Sequence, residues 1–265
     1  RKDFQVRKSP FSCMHLNDLP RVAPASVPAN DLTRADPLTL AFEGWSETAL
    51  GILDRLRETP HIDQYNQEKP EISTALKEPF KRYRDDLVVN WVLPNRLELE
   101  TEKYVFSRLL KNDFGAGGCH DNLWMAFYRP HTKRLKDVQV SHRMSPDGFD
   151  VGLYVGPYAK DCLSNAQDRI EEAPGTYLDL VNPLLQTGQW TFGWHKGSGG
   201  RKRRPTFDAP LNALPDAVTR ADGIWLRHRI DRDDVLALGP DLVARTLDCV
   251  EALWPAYRFY LNADH

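Results

Sequence analysis

Hydrophobic positions fall into three regimes along the chain. From Pro37 onward Phe42, Trp45, Ala49, Ile52, Leu53 and Leu56 recur at three- and four-residue spacing, which predicts a helix with one apolar face, stopped at Pro60. A second helical region is predicted from about Ile72 to Trp91, with Pro79 interrupting it and starting a fresh helix that turns Phe80, Tyr83 and Leu87 inward. The middle of the chain changes period. Residues 123–128 form a short aromatic run between Gly117-Gly118 and Pro130, and residues 138–141 alternate. Ser145-Pro-Asp-Gly148 is a turn signal with the apolar run 151–155 directly behind it. An antiparallel hairpin or meander is the expectation.

Helices are predicted again at 158–172 and 176–187, then a strand at 190–194. Residues 205–220 are broken by prolines, and 223–230 alternate like a strand. Val243, Leu247, Val250, Trp254, Tyr257 and Leu261 give the clearest helical beat, with Pro255 near its end. Helices first, strands in the middle and a helix last predict an α+β fold: a central antiparallel sheet packed by N-terminal and C-terminal helices. No βαβ alternation is present, which disfavours a parallel nucleotide-binding sheet. Residues 1–36, with Pro10, Pro20, Pro24 and Pro28, read as an extended arm or linker. Residues 37–265 read as a single domain.

Three stretches appear in an order that resembles the uncharacterised bacterial family called domain of unknown function 2461. The first is the aromatic strand at 123–128 leading through Arg129, Lys133, Arg134 and Lys136 into a second strand. The second is the turn and glycine-containing strand of 145–155. The third is Arg204-Pro205 with the strand and long helix that follow through 224–261. The likeness covers about residues 38–262. It implies an α+β fold and no particular reaction. Where the family carries an Arg-Phe-Ser-Lys-Asp-Lys type of run, this chain has Arg129-Pro-His-Thr-Lys-Arg-Leu-Lys-Asp137.

Charge sharpens the picture. The formal net charge is −2, from 35 basic and 37 acidic residues. Yet Lys196, Arg201, Lys202, Arg203 and Arg204 stand within ten residues, just after Trp190, Phe192, Trp194, His195 and among the glycines of 197–200. A cationic loop on an acidic body meets anions. Glycines followed by Arg-Lys-Arg-Arg suit a finger on a nucleic-acid backbone, with Trp190, Phe192 or Trp194 available to stack on a base. The GxxxxGK[ST] spacing is missing, so this is not a nucleotide-triphosphate loop. Arg129, His131, Lys133, Arg134 and Lys136 form a second basic cluster, with His142 and Arg143 beyond the next strand, and the two clusters converge on one face if the fold allows. The reading is a phosphate-contacting nucleic-acid-binding recognition module, part of a larger bacterial defence or DNA-processing protein.

Other chemistry is weaker. Glu98, Glu100 and Glu102 would share one face of a strand and, with His120, serve a metal-dependent hydrolase or nuclease. A protein–protein adaptor docking through residues 1–36 is the other alternative. Cys119-His120-Asp121 are neighbours whose side chains point apart on an extended chain. Cys13, Cys119, Cys162 and Cys249 make no CxxC pair, so a cysteine-built zinc site is not expected and reduced thiols in a cytoplasm are. No apolar stretch is long enough for a membrane span and no signal peptide is visible. No catalytic set and no cofactor are implied. The start at Arg1 fits a piece with fused neighbours.

Overall fold

A computed structural model describes residues 20–197 and 204–261. Among the described residues six strands form one sheet: β1 (Leu123–Phe127), β2 (Gln139–Ser145), β3 (Gly148–Val155), β4 (Trp190–His195), β5 (Thr206–Phe207) and β6 (Gly223–Asp231). Their order is β1-β2-β3-β6-β4-β5 and every neighbouring pair is antiparallel. The fold is α+β, as the order of periods predicts. β2 and β3 meet at Ser145-Pro-Asp-Gly148, where Ser145 pairs with Gly148. β6 is inserted between β3 and β4, so the last strand in chain order lies inside the sheet rather than at an edge.

Seven helices accompany the sheet among the described residues: α1 (Glu47–Glu58), α2 (Ile62–Glu71), α3 (Glu78–Leu87), α4 (Lys160–Glu172), α5 (Pro174–Gln186), α6 (Arg232–Leu238) and α7 (Leu242–Tyr260). Ser46 caps α1 by accepting a hydrogen bond from the Ala49 N–H at 3.3 Å. Pro79 does not break the second helical region. α2 and α3 run on through wide i→i+5 turns at Ile72–Lys77 and Val88–Val92, the first of them placed between Pro70 and Pro79. A widened turn absorbs the missing N–H and the ring that a regular turn cannot.

Alternation splits each strand between two environments. Val140, His142 and Met144, Phe149, Val151 and Leu153, Trp190, Phe192 and Trp194, and Ile224, Leu226 and His228 all face the helices and are buried. The Tyr83 hydroxyl of α3 sits 3.0 Å from His142 Nδ1 and 2.7 Å from the Thr246 hydroxyl of α7, joining helices and sheet in the centre of the core. The predicted stripe of α7 is wholly interior, and Pro255 lies inside the helix. The opposite face of the sheet is the open one. Arg143, Tyr154, Trp225, Arg227 and Arg229 stand there, each only half-buried.

The described part of the arm is not a free linker. The Trp254 indole N–H donates to the Val27 carbonyl at 2.8 Å, Arg258 Nε to the Ala25 carbonyl at 3.0 Å, and Arg34 pairs with Asp248 at 2.9 Å. Residues 20–36 therefore line α7 as part of the body: they fold into short 3-10 turns at Pro24–Ser26 and Ala29–Asp31, and their carbonyls accept from donors on α7. No helix among the described residues is long and apolar enough to cross a membrane.

Candidate anion-binding cleft on the open face of the sheet

On the open face, strand register sets side chains in rows. Arg143, Asp150 and Arg229 lie side by side on β2, β3 and β6. The Asp150 carboxylate, 4 % exposed, accepts from Arg143 at 2.5 Å and Arg229 at 2.9 Å. Burial alone would push its pKa up; the surrounding guanidiniums outweigh that and hold it below the usual carboxylate range. The next row places Gly152 beside Arg227 and Arg227 beside Thr191.

Arg227 differs from its neighbours. Its guanidinium makes no hydrogen bond or ion pair among the described residues, since Asp150 is already taken by Arg143 and Arg229. Burial, with Arg143, Arg229 and Arg204 nearby, lowers its pKa against the pull of Asp150. A half-buried cation that shares its nearest carboxylate with two other arginines destabilises the fold. An arriving anion removes that penalty.

A cleft of about 350 Å³ opens over this residue, lined by Arg143, Tyr154, Thr191, His195, Arg204, Thr206, Trp225 and Arg227. Among the described residues its walls hold three arginines and no carboxylate. Glycines let its neighbours pack closely: a Cβ on Gly152 would come within 2.1 Å of the Leu226 carbonyl oxygen, and one on Gly193 within 2.4 Å of the Trp225 ring. The indole of Trp225 thus occupies room that only a glycine leaves. The His195 ring stacks beside it at 6.3 Å and 25°, and its Nε2 is 3.3 Å from the Tyr154 hydroxyl. Burial raises the Tyr154 pKa, so the phenol stays protonated. A larger cleft of about 490 Å³ carries Glu171 and Asp216 against Arg220, which suits an anion less.

The expected phosphate-binding residues do not all lie together. Arg201, Lys202 and Arg203 lie outside the described residues. Arg204 and His195 line the cleft. Lys196 is tied to the Arg220 carbonyl and to Asp222 at 3.3 Å. Trp194 is corrected: it is 4 % exposed and stacked on Phe207 at 5.3 Å and 13°, because the 190, 192, 194 alternation faces the helices. It offers no ring to a base.

In the second cluster, Arg129 is corrected as a free cation. It grips Asp137, which is fully buried, at 2.6 Å, and closes the loop between β1 and β2. Arg134 stacks over Trp124 at 4.2 Å and donates to the Val105 carbonyl at 2.7 Å, while Lys133 and Lys136 are exposed. Among the described residues, β1 and β4 end on the same side of the sheet, four strand spacings or about 19 Å apart.

The carboxylates at 98–102 form no regular strand. Glu100 accepts from the N–H groups of Glu102 at 3.0 Å and Lys103 at 2.8 Å, folding the chain into a turn. No group of three or more His, Cys, Asp and Glu is placed to hold a metal among the described residues. Cys119 is buried and Asp121 bonds Arg57 at 2.8 Å, so the 119–121 triplet is not aligned as a catalytic set.

Tyr154, Thr191, Trp225, Arg227 and the Asp150 clamp were not among the expected site residues. Their signal is the outward half of the alternation at 223–230, where Trp225, Arg227 and Arg229 share a face. No family model matches this chain. No curated protein matches it either.

Proposed function

We propose that this protein is a nucleic-acid-binding recognition module that takes a backbone phosphate into the cleft on the open face of its sheet. The observation that carries the reading is Arg227, an arginine with no hydrogen bond or ion pair of its own among the described residues, set beside Arg143 and Arg204 in a cleft whose described walls carry no carboxylate. Arginine forks match phosphate oxygens geometrically, and Trp225, His195 and Tyr154 add flat surfaces beside the charge. Arg204, which lines the cleft, directly follows Arg201, Lys202 and Arg203 in sequence.

Binding of labelled single- and double-stranded DNA and RNA at two salt concentrations tests it, using the whole chain and an Arg204→Glu/Arg227→Gln variant. Salt-sensitive binding that weakens in the variant supports the reading. For every phosphate that is no longer neutralised, the log–log salt slope should flatten by about 0.9 for duplex and about 0.7 for single strands. Wild-type and variant chains that bind nucleic acid equally, or neither of them binding, sink it. Binding of inorganic phosphate or a mononucleotide alone would reassign the cleft to a small anion.

A further inference from the structure

Sequence points to Trp190, Phe192 and Trp194 for base stacking, and all three are in the core. Other rings are outside. Tyr104 is 84 % exposed and Tyr158 is 65 % exposed. Both line a cleft of about 740 Å³ together with Tyr128, Thr132, Lys133, Arg134, Leu135 and Lys136. An isolated exposed tyrosine needs no explanation. Two of them sharing a cleft with three cations and, among the described residues, no carboxylate do.

The position of Tyr104 is built rather than loose. Its φ is 55°, in the left-handed region that a bulky side chain avoids. The preceding turn is fixed by Glu100 accepting from the N–H groups of Glu102 and Lys103, and by the Tyr128 hydroxyl donating to the Lys103 carbonyl at 2.7 Å. That strain returns no packing, since the ring stands in solvent. Strain held by the surroundings of a residue is found at ligand clamps and switch positions.

Arg134 supplies the second observation. Burial lowers its pKa, no carboxylate pairs with it among the described residues, and its buried Nε has no partner. It lies over Trp124, on the same open face as Arg227. The cleft thus combines exposed rings, an uncompensated arginine and the exposed Lys133 and Lys136. This is the composition of a surface that stacks unpaired bases while holding their backbone.

We infer that the cleft between Tyr104, Tyr158 and the loop 132–136 is a stacking site for the unpaired bases of a single strand. The inference rests on the nucleic-acid reading and specifies it. The strand runs from the phosphate at Arg227 on β6 to bases at the end of the sheet where the chain leaves β1 and β3. A duplex keeps its bases stacked on one another and cannot use these rings.

The test compares the whole wild-type chain with a Tyr104→Ala/Tyr158→Ala variant, both side chains being exposed enough to leave the core untouched. The probes are a labelled oligothymidylate of roughly a dozen nucleotides, within the span such sites cover, and a duplex of equal length. Expected is a loss of about fivefold or more per ring in single-strand affinity, with unchanged duplex affinity and an unchanged salt slope, because no charge is removed. Tyr104→Phe/Tyr158→Phe should retain wild-type affinity. Single-strand binding that depends on Arg227 but ignores both tyrosines overturns this inference and leaves the phosphate cleft standing. Absence of any nucleic-acid binding by the wild-type chain overturns both.

Discussion

Arg143 holds Asp150 across the β2–β3 register at 2.5 Å, and this ion pair decides which arginine of the open face is left over. With Arg229 on its other side, the carboxylate has no oxygen to spare for Arg227. The buried carboxylate and its two half-buried arginines form a clamp, and the fourth charge stands ready for something from outside.

Asp150→Asn should therefore be destabilising. It leaves Arg143 and Arg229 facing each other with no anion between them; since both arginines are half-buried, the cost should fall below the roughly 3 kcal/mol of a fully buried pair broken from one side, at about 1–2 kcal/mol. A urea titration should show a lower midpoint with an unchanged slope. A midpoint equal to wild type would mean that water already serves the two guanidiniums.

Arg227→Leu should separate stability from binding. Removing an uncompensated half-buried charge should hold or raise the melting temperature. The same change should weaken polyanion binding by about tenfold, the equivalent of one charge-assisted hydrogen bond of about 1.4 kcal/mol. A variant that is both less stable and weaker in binding would show that Arg227 is structural.

Trp194→Ala should behave in the opposite way. The ring is buried against Phe207 in the core, so truncation should cost about 3–5 kcal/mol. Any surviving folded chain should bind oligonucleotides with wild-type affinity. A stable variant with impaired binding would restore Trp194 as a stacking residue.

Acid should weaken the fold in two stages. Burial brings His142 from 6.5 down to about 3, and burial with Arg245 beside it brings His228 down to about 4. Both stay neutral in the folded chain while the unfolded chain takes up protons below about pH 6.5. Their stabilisation is complete above that pH and is lost as pH falls towards the folded values, by about 1.4 kcal/mol per pH unit for each histidine. Asp150, with its pKa lowered from 3.8, adds its own loss only below that value. Urea midpoints between about pH 7.5 and 4.5 should decline, and His142→Gln should decline less steeply. Parallel slopes for the two chains would remove His142 from the account.

Local pattern was enough for much of this protein. Period two at 190–194 and 223–230, the helical beat along α7 and the Ser145–Gly148 turn each depend on neighbours within a few residues, so the elements and their α+β class could be read from the chain. The basic residues around the cleft were only half legible. Arg204 and His195 stood out because they sit in an unusual run, whereas Arg227 looks like any polar position on an alternating strand. What distinguishes Arg227 is that β6 inserts between β3 and β4 and sets it one row from an Asp150 already claimed by two arginines. The pairing of Gly148 with Asp231 and of Val155 with Ile224 joins segments far apart in the chain, and it leaves no trace in local periodicity. For the same reason Trp194, prominent in the sequence, is core, and Tyr104, inconspicuous there, stands in solvent. Sequence determined which residues alternate and where charge is dense; only the tertiary structure decided which face is covered, which cation is left without a partner and which rings are free to meet a ligand.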